Sequence, residues 1–428
     1  MMISLAMVGL LVVLFAIGVP VAVSLGTVGI LGILEIGPRF LPAAGHAVWN
    51  TVDNYVLLSV PLFVLMGELF QRSNLAYPFY RAASRWIAWL PGGLMHSNIF
   101  ACSLFSAISG SSVATAATIG AIALPEMDRL GYSRRKVLGS LAAGGTLGIL
   151  IPPSIPLILY AALVDASVGK LFAAAIIPGI ALAACFLLYI YISSRLGRGA
   201  APREAFVLGQ ALRAVIDVLP LMGLIVLVLG SIYLGIATPT EAAAVGVCGT
   251  LVLMLGFRVL TWSIFVEALK STTRFTTIIF FIVIGAQIFS FAVFRSGAPR
   301  ELQDWIANVQ PSPALLLTTI MIAYLILGMF VDAISIMVLT VSIVHPLILA
   351  IGYDTIWFGI VLVVTLEIGL ITPPLGLNLF TIQATTRGAA SLREISLGAL
   401  PYVIIMILFL AVLTAFPQLV LWPATLFE

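Results

Sequence analysis

Six apolar runs in this chain, at 55–71, 171–193, 218–236, 241–257, 275–294 and 395–420, each approach the ~20 residues with which a helix crosses the hydrocarbon of a bilayer. In lipid every backbone N–H and C=O has to be paired without water, so runs of this kind become helices. The first 35 residues read as two shorter helices parted at Gly18-Val19-Pro20. They lack the basic start and the A-x-A-like cleavage site of a secretory signal, so a retained first helix is expected. Composition agrees: 62% of the residues are hydrophobic and 9% charged, against about 25% charged in soluble domains. A water-soluble fold has no place for so much apolar surface. The expected fold class is an all-α polytopic membrane protein with about ten crossings.

Four further apolar stretches, 92–125, 137–165, 311–348 and 356–385, are interrupted in mid-run by Gly, Ser, Pro or Asp. Backbone breaks at membrane depth are tolerated only where protein or a water-filled cavity surrounds them. The interruptions come in pairs. Pro125, Gly131, Tyr132, Gly148, Pro152 and Pro153 recur 221 positions later as Pro346, Gly352, Tyr353, Gly369, Pro373 and Pro374. Pro20 pairs with Pro239 and Trp86 with Trp305 at an offset of 219, and Pro178 pairs with Pro401 at 223. Small loop insertions account for the drift. The chain is therefore expected to be two repeats, 1–205 and 206–428.

Charge predicts that the copies are inverted. The loop EMDRLGYSRRK after Pro125 carries Arg129, Arg134, Arg135 and Lys136, whereas its partner LILAIGYDTIW carries no positive charge. By the positive-inside rule the first loop is cytoplasmic and the second is outside. The next pair reverses, with Lys170 alone in DASVGK against Arg387 and Arg393 in RGAASLRE. Arg195, Arg198 and Arg203 mark the connector as cytoplasmic, while Arg295 and Arg300 count against the scheme. Both termini are expected outside. Inverted repeats of this kind occur in secondary transporters, whose sites lie at mid-bilayer where broken helices from both repeats meet.

Both ends of LFSAISGSSVATAATIGAIALP sit beside basic loops, so this segment enters and leaves by one face as a re-entrant hairpin. Its tip is expected near 109–112, at Ser109, Gly110, Ser111 and Ser112. Glycine permits a tight turn, and hydroxyls and carbonyls are hard donors for a small cation. Close packing through small residues is the other reading, and the favoured one for 114–117. In GGTLGILIPPSIPLILYA the paired prolines remove two backbone donors and open the helix near 148–154. Carbonyls freed around Thr146, Gly148 and Pro152, with the Ser154 hydroxyl, complete a first candidate cation site. In the second repeat the tip near 331–335 carries Asp332, equivalent to Ser111, and Ser335. The break near 369–378 carries Gly369, Thr372, Pro373, Gly376 and Asn378, completing a second. A carboxylate at membrane depth usually faces an interior site and a partner. A bound cation would serve Asp332, as would a capping role at a half-helix. Glu241 follows Thr238-Pro239-Thr240 and reads as a helix-start carboxylate. Glu68 and Glu367 are open between pairing with other helices and relaying protons.

Other chemistries find little support. Cys102, Cys185 and Cys248, and His46, His96 and His345, are scattered without metal or disulfide spacing. No Walker-type loop or H-E-x-x-H is present, so neither ATP hydrolysis nor enzyme activity is expected, and no organic cofactor. The net charge of +3 is spread over short loops, with no patch for nucleic acid. No arginine lies inside a broken segment. An anionic substrate would have to rely on half-helix N-termini, hydroxyls and co-bound cations.

The stretches SGSSVATAATIGAIALPEM, GGTLGILIPPSIPLILYA, GIATPTEAAAVG and GLITPPLGLNLF resemble the hallmark segments of the large membrane subunit of the tripartite ATP-independent periplasmic (TRAP) transporters. The resemblance covers essentially the full chain. It implies an elevator-type member of the ion-transporter superfamily, in the bacterial inner membrane. It also implies sodium as coupling ion at the two sites above, and import of an organic acid of the dicarboxylate, keto acid or sialic acid class. The implied partners are a separate small four-helix membrane subunit and a periplasmic substrate-binding protein. A stand-alone sodium/dicarboxylate carrier of the same superfold is the nearest alternative, and an ion channel a more distant one.

Overall fold

The computed structural model describes residues 2–73, 75–196 and 207–426. Arg198, Arg203 and the repeat boundary at 205/206 lie outside the described residues. Among those residues there is no strand. Among the described residues seven helices are long and apolar enough to span: Tyr55–Arg72, Val168–Leu196, Leu208–Tyr233, Pro239–Gly256, Trp262–Arg295, Ala333–Ala350 and Leu392–Ala415. The first two helices, Met2–Ala16 and Val21–Ile36, part at Gly18, and Pro20 precedes the second.

The same element order runs twice. Val21–Ile36 answers to Pro239–Gly256, and the short helix Ala76–Ile87 to Ala298–Val309. The first hairpin, Leu94–Ser109 and Ser112–Arg129, answers to Pro313–Gly328 and Ala333–Ala350. The first broken helix has a leading half Arg134–Thr146 and a trailing half Ile155–Val164; the second has Thr355–Leu370 and Leu377–Thr385. Pro152-Pro153 and Pro373-Pro374 are both cis.

Contacts between the halves establish the inversion. Tyr160, in the trailing half of the first broken helix, donates its hydroxyl to the Thr355 carbonyl at 2.7 Å and meets the His345 ring edge-on. That places the end of the first broken helix at the base of the second hairpin. Thr385, ending the second broken helix, packs on Gly120 in the first hairpin, and Arg135 donates to the Leu397 carbonyl at 3.0 Å. Each broken helix thus starts at the base of its own hairpin and finishes at the base of the other. The hairpins enter from opposite sides, as the loop charges predict.

Helices in lipid gain nothing from burying apolar surface against each other, so close approach of small residues sets their packing. The hairpins and broken helices pack together with Val168–Leu196 and Leu392–Ala415. Outside this group Val21–Ile36 crosses Trp262–Arg295 at Gly29 and Gly285, where an added Cβ would lie 2.7 Å from the Phe289 nitrogen and 2.5 Å from the Ala22 carbonyl. Tyr55–Arg72 and Pro239–Gly256 complete that outer wall.

Candidate functional site

At the first tip Leu94–Ser109 closes on Gly110, whose φ of 57° is left-handed and whose amide donates to the Ser106 carbonyl at 3.0 Å. A side chain there would strain the backbone and press to 2.8 Å from the Pro153 carbonyl. Ser111 is the N-cap of the next helix, its hydroxyl facing the Ala114 amide at 3.4 Å. Thr115 donates to the Ser111 carbonyl at 2.8 Å, and its hydroxyl lies 2.9 Å from that of Ser109. Ser112, the first residue of that helix, is buried. Thr115 lies in the run 114–117, which reads in the sequence as close packing through small residues. Its spacing of four from Ser111, one helical turn, is the signal that could have found it.

The first break seats against this tip. After Thr146, whose hydroxyl donates to the Ala143 carbonyl at 2.7 Å, the helix tightens into the 3-10 turn Leu147–Ile149 and opens at Pro152. Ser154 restarts it, accepting from the Leu157 amide at 3.4 Å and donating across the gap to the Ile149 carbonyl at 2.5 Å. Gly148 brings the two together, since a Cβ there would lie 2.6 Å from the Ser111 carbonyl.

The second tip is built alike. Asp332 caps Ala333–Ala350 by accepting from the buried Ser335 amide at 2.9 Å. The Gly376 amide, with φ 44°, donates to the Met329 carbonyl at 3.2 Å and ties the second break to its tip. Gly369 lies against Gly328, where a Cβ would come within 2.6 Å of the backbone. Thr372 donates to the Ile368 carbonyl at 2.6 Å, beside Pro373. Asn378 departs from the arrangement expected for the second site. It is fully buried against Gly145 of the first broken helix, a Cβ on which would lie 3.3 Å from its amide nitrogen. The trailing half of the second broken helix crosses onto the first repeat, and neither side-chain atom of Asn378 has a hydrogen-bond partner among the described residues.

The two tips open on one cavity of about 510 Å³, lined by Gly110, Ser111 and Ser112 from one repeat and by Asp332, Ala333 and Ile334 from the other. Its outer wall is apolar, made of Phe275, Ile278, Ile279 and Ile282 from Trp262–Arg295, and Glu68 and Gln71 stand at one side. Glu68 accepts from Arg72 at 3.0 Å, and Arg72 also reaches Glu267 at 3.1 Å on the long helix. No lysine or arginine is among the residues lining the cavity. Four helices begin at residues lining it, Ser112–Arg129, Ile155–Val164, Ala333–Ala350 and Leu377–Thr385, with partial positive charge at their N-termini. The cavity offers hydroxyls, carbonyls freed at the breaks and one capping carboxylate, a donor set for a small hard cation beside an anion. Elsewhere, Glu241 closes a capping box with Thr238, whose amide donates to it at 2.8 Å. Glu367 is fully buried, and neither carboxyl oxygen has a partner among the described residues. His96 and His345 bind the Pro91 carbonyl and the Thr355 hydroxyl, and no cluster of three metal-ligating side chains occurs among the described residues.

Oppositely entering hairpins and proline-broken helices around a shared cavity define the class of secondary transporters with inverted repeats. The solved YdaH transporter of Alcanivorax borkumensis has the same fold, with a TM-score of 0.64, 14% identity and 99% of each chain covered. The family model for the DctM component of the tripartite ATP-independent periplasmic transporter matches residues 8–419, and the chain belongs to that family. It is 37% identical over 398 residues to the C4-dicarboxylate TRAP transporter large permease protein DctM of Pseudomonas aeruginosa, covering 92% of each chain. It is also 32% identical to the sialic acid TRAP transporter large permease protein SiaM of Vibrio cholerae, covering 98% of this chain and 97% of that one. The family is one of transporter permeases.

Proposed function

We propose that this chain is the large permease of a sodium-coupled importer of a small organic acid in the bacterial inner membrane. It works with a small four-helix membrane subunit and a periplasmic substrate-binding protein. The carrying observation is that both capped hairpin tips face one cavity. Sodium binds between each tip and its own break, at Ser111 with 148–154 and at Asp332 with 369–376. Asn378 is left out of the second site because its side chain faces Gly145. The substrate carboxylate lies against the N-termini of the helices after Ser111 and Asp332, and bound sodium supplies the charge that no lysine or arginine provides. Dicarboxylate, keto acid and sialic acid all fit that chemistry, and the names of the relatives from Pseudomonas aeruginosa and Vibrio cholerae support it. The hairpin group moves as a unit along the apolar wall of 275–282, carrying the site across the membrane in the elevator manner.

The test is uptake by proteoliposomes holding this chain and its small subunit, with binding protein and labelled substrate outside. Uptake requires the binding protein and an inward sodium gradient, and it saturates with substrate. Unchanged uptake when potassium replaces sodium refutes the coupling, and full uptake without binding protein points to a stand-alone carrier.

A further inference from the structure

A second cavity, of about 330 Å³, lies away from the transport site, between the short helix Ala76–Ile87, the end of the first hairpin and the start of Leu208–Tyr233. Arg81, Arg85 and Arg129 line it together with Tyr77, Ser84 and Gln210. Its charges do not cancel. Arg129 holds Glu126 at 2.6 Å and Arg85 holds Asp217 at 3.5 Å. Arg81 has no carboxylate within ion-pair distance among the described residues; its guanidinium lies 5.9 Å from the centre of the Tyr77 ring. Counting both acids, the pocket keeps one positive charge in excess, on a group with its donors free for a ligand. Tyr77, Trp86 and Trp89, on and just after the same short helix, are exposed. Aromatic side chains of this kind mark the headgroup layer of a bilayer. The basic loop 126–136 places that layer on the cytoplasmic side.

We infer that this pocket binds a phosphate group, carried by the headgroup of an anionic phospholipid or free in solution. Guanidinium forks match phosphate oxygens in pairs. Basic pockets between membrane helices at the cytoplasmic face suit anionic headgroups. The cavity has room for a phosphate with its glycerol, and a bound headgroup joins the base of the first hairpin, through Arg129, to the short helix through Arg81 and Arg85. Phosphate binding here depends on neither sodium coupling nor the transported substrate.

The experiment is native mass spectrometry of the purified membrane complex, this chain with its small subunit. Delipidated complex is incubated with phosphatidylglycerol, with phosphatidylcholine, or with phosphatidylglycerol plus millimolar inorganic phosphate. One tightly held phosphatidylglycerol is expected, and little phosphatidylcholine. The triple variant Arg81→Gln, Arg85→Gln, Arg129→Gln loses about tenfold in occupancy; Arg387→Gln with Arg393→Gln, outside the pocket, does not. Arg81→Gln alone removes no ion pair, so it serves if the triple variant misfolds, and Arg81→Lys restores part of the loss. Displacement of the lipid by inorganic phosphate assigns the pocket to free phosphate, and persistence assigns it to lipid. Equal occupancy in all variants, equal binding of both lipids, or loss of the small subunit with lipid retained would overturn the inference.

Discussion

Asp332 does two jobs that substitution can separate. Its carboxylate accepts from the Ser335 amide and starts a half-helix, and it is the one carboxylate at either hairpin tip that faces the cavity. Asn can keep the cap and discard the charge, whereas Ala loses both, and a lost cap costs about 1 kcal/mol. Asp332→Asn is therefore expected to melt within a degree or two of the wild type, while the sodium concentration for half-maximal uptake rises about tenfold, some 1.4 kcal/mol. Asp332→Ala shows the same rise together with a lower melting temperature. A sodium titration of uptake beside a melting curve separates the two effects. Gly110→Ala puts a Cβ on a left-handed backbone at a cost of about 1–2 kcal/mol, and that Cβ also meets the Pro153 carbonyl. Uptake is expected to be lost with the protein still in the membrane, read by flux against the amount reconstituted. That Ser111 also caps its helix emerged from the structure, but Ser111 and Asp332 were legible as equivalent tip residues at the offset of 221, with capping open for Asp332. Thr115 and Asn378 were not. The role of Thr115 depends on where the Ser111 carbonyl points, and that of Asn378 on which repeat its helix lies against.

The elements were readable where hydrophobic length or proline settled them. The six uninterrupted runs and four interrupted ones fall on described helices, because pairing of the backbone in lipid leaves no other form, except that the run 395–420 parts at Phe416-Pro417 into Leu392–Ala415 and Gln418–Thr425. The partners of each element were less legible, since packing among apolar helices depends on where small residues meet. Gly139 and Gly398 show this: a Cβ on Gly139 would lie 2.1 Å from the Gly398 carbonyl, and one on Gly398 would lie 2.2 Å from that of Arg135. Neither glycine stands out in a chain with 37 of them. Gly139→Val is expected to destabilise by about 1–3 kcal/mol through overpacking, and Gly9→Val, with open space around it, to change little. Thermal melting in one detergent makes the comparison. Arg72, held between Glu68 and Glu267, is partly exposed. Such pairs contribute about 0–1 kcal/mol, so Arg72→Gln should leave melting nearly unchanged, while uptake is expected to fall because its partner Glu68 lines the cavity.

At the scale of the whole molecule, the inversion was legible because loop charge reports sidedness. Which helices pack as one group was not, because that depends on contacts between residues far apart in the chain. Cross-linking tests the division in a background with Cys102, Cys185 and Cys248 replaced by serine. Gly120→Cys with Thr385→Cys joins two elements of the hairpin group; a Cβ on Gly120 would lie 4.0 Å from that of Thr385, within disulfide reach. Oxidation is expected to leave uptake intact. Ala114→Cys with Phe275→Cys, both lining one small gap between the hairpin group and the outer wall, is expected to abolish uptake under a short thiol cross-linker and to recover it on cleavage. Uptake that survives the second link rules out relative movement of the two groups. The wall made by Phe275, Ile278, Ile279 and Ile282 has a consequence of its own. Side chains without donors or acceptors grip a neighbour by shape alone, and one resting position along them is nearly as good as the next. Inside the hairpin group, backbone touches backbone at Gly148 and Gly369, where no comparable slippage is available. On the proposed elevator movement, a stiff cargo holder would slide along a greased rail.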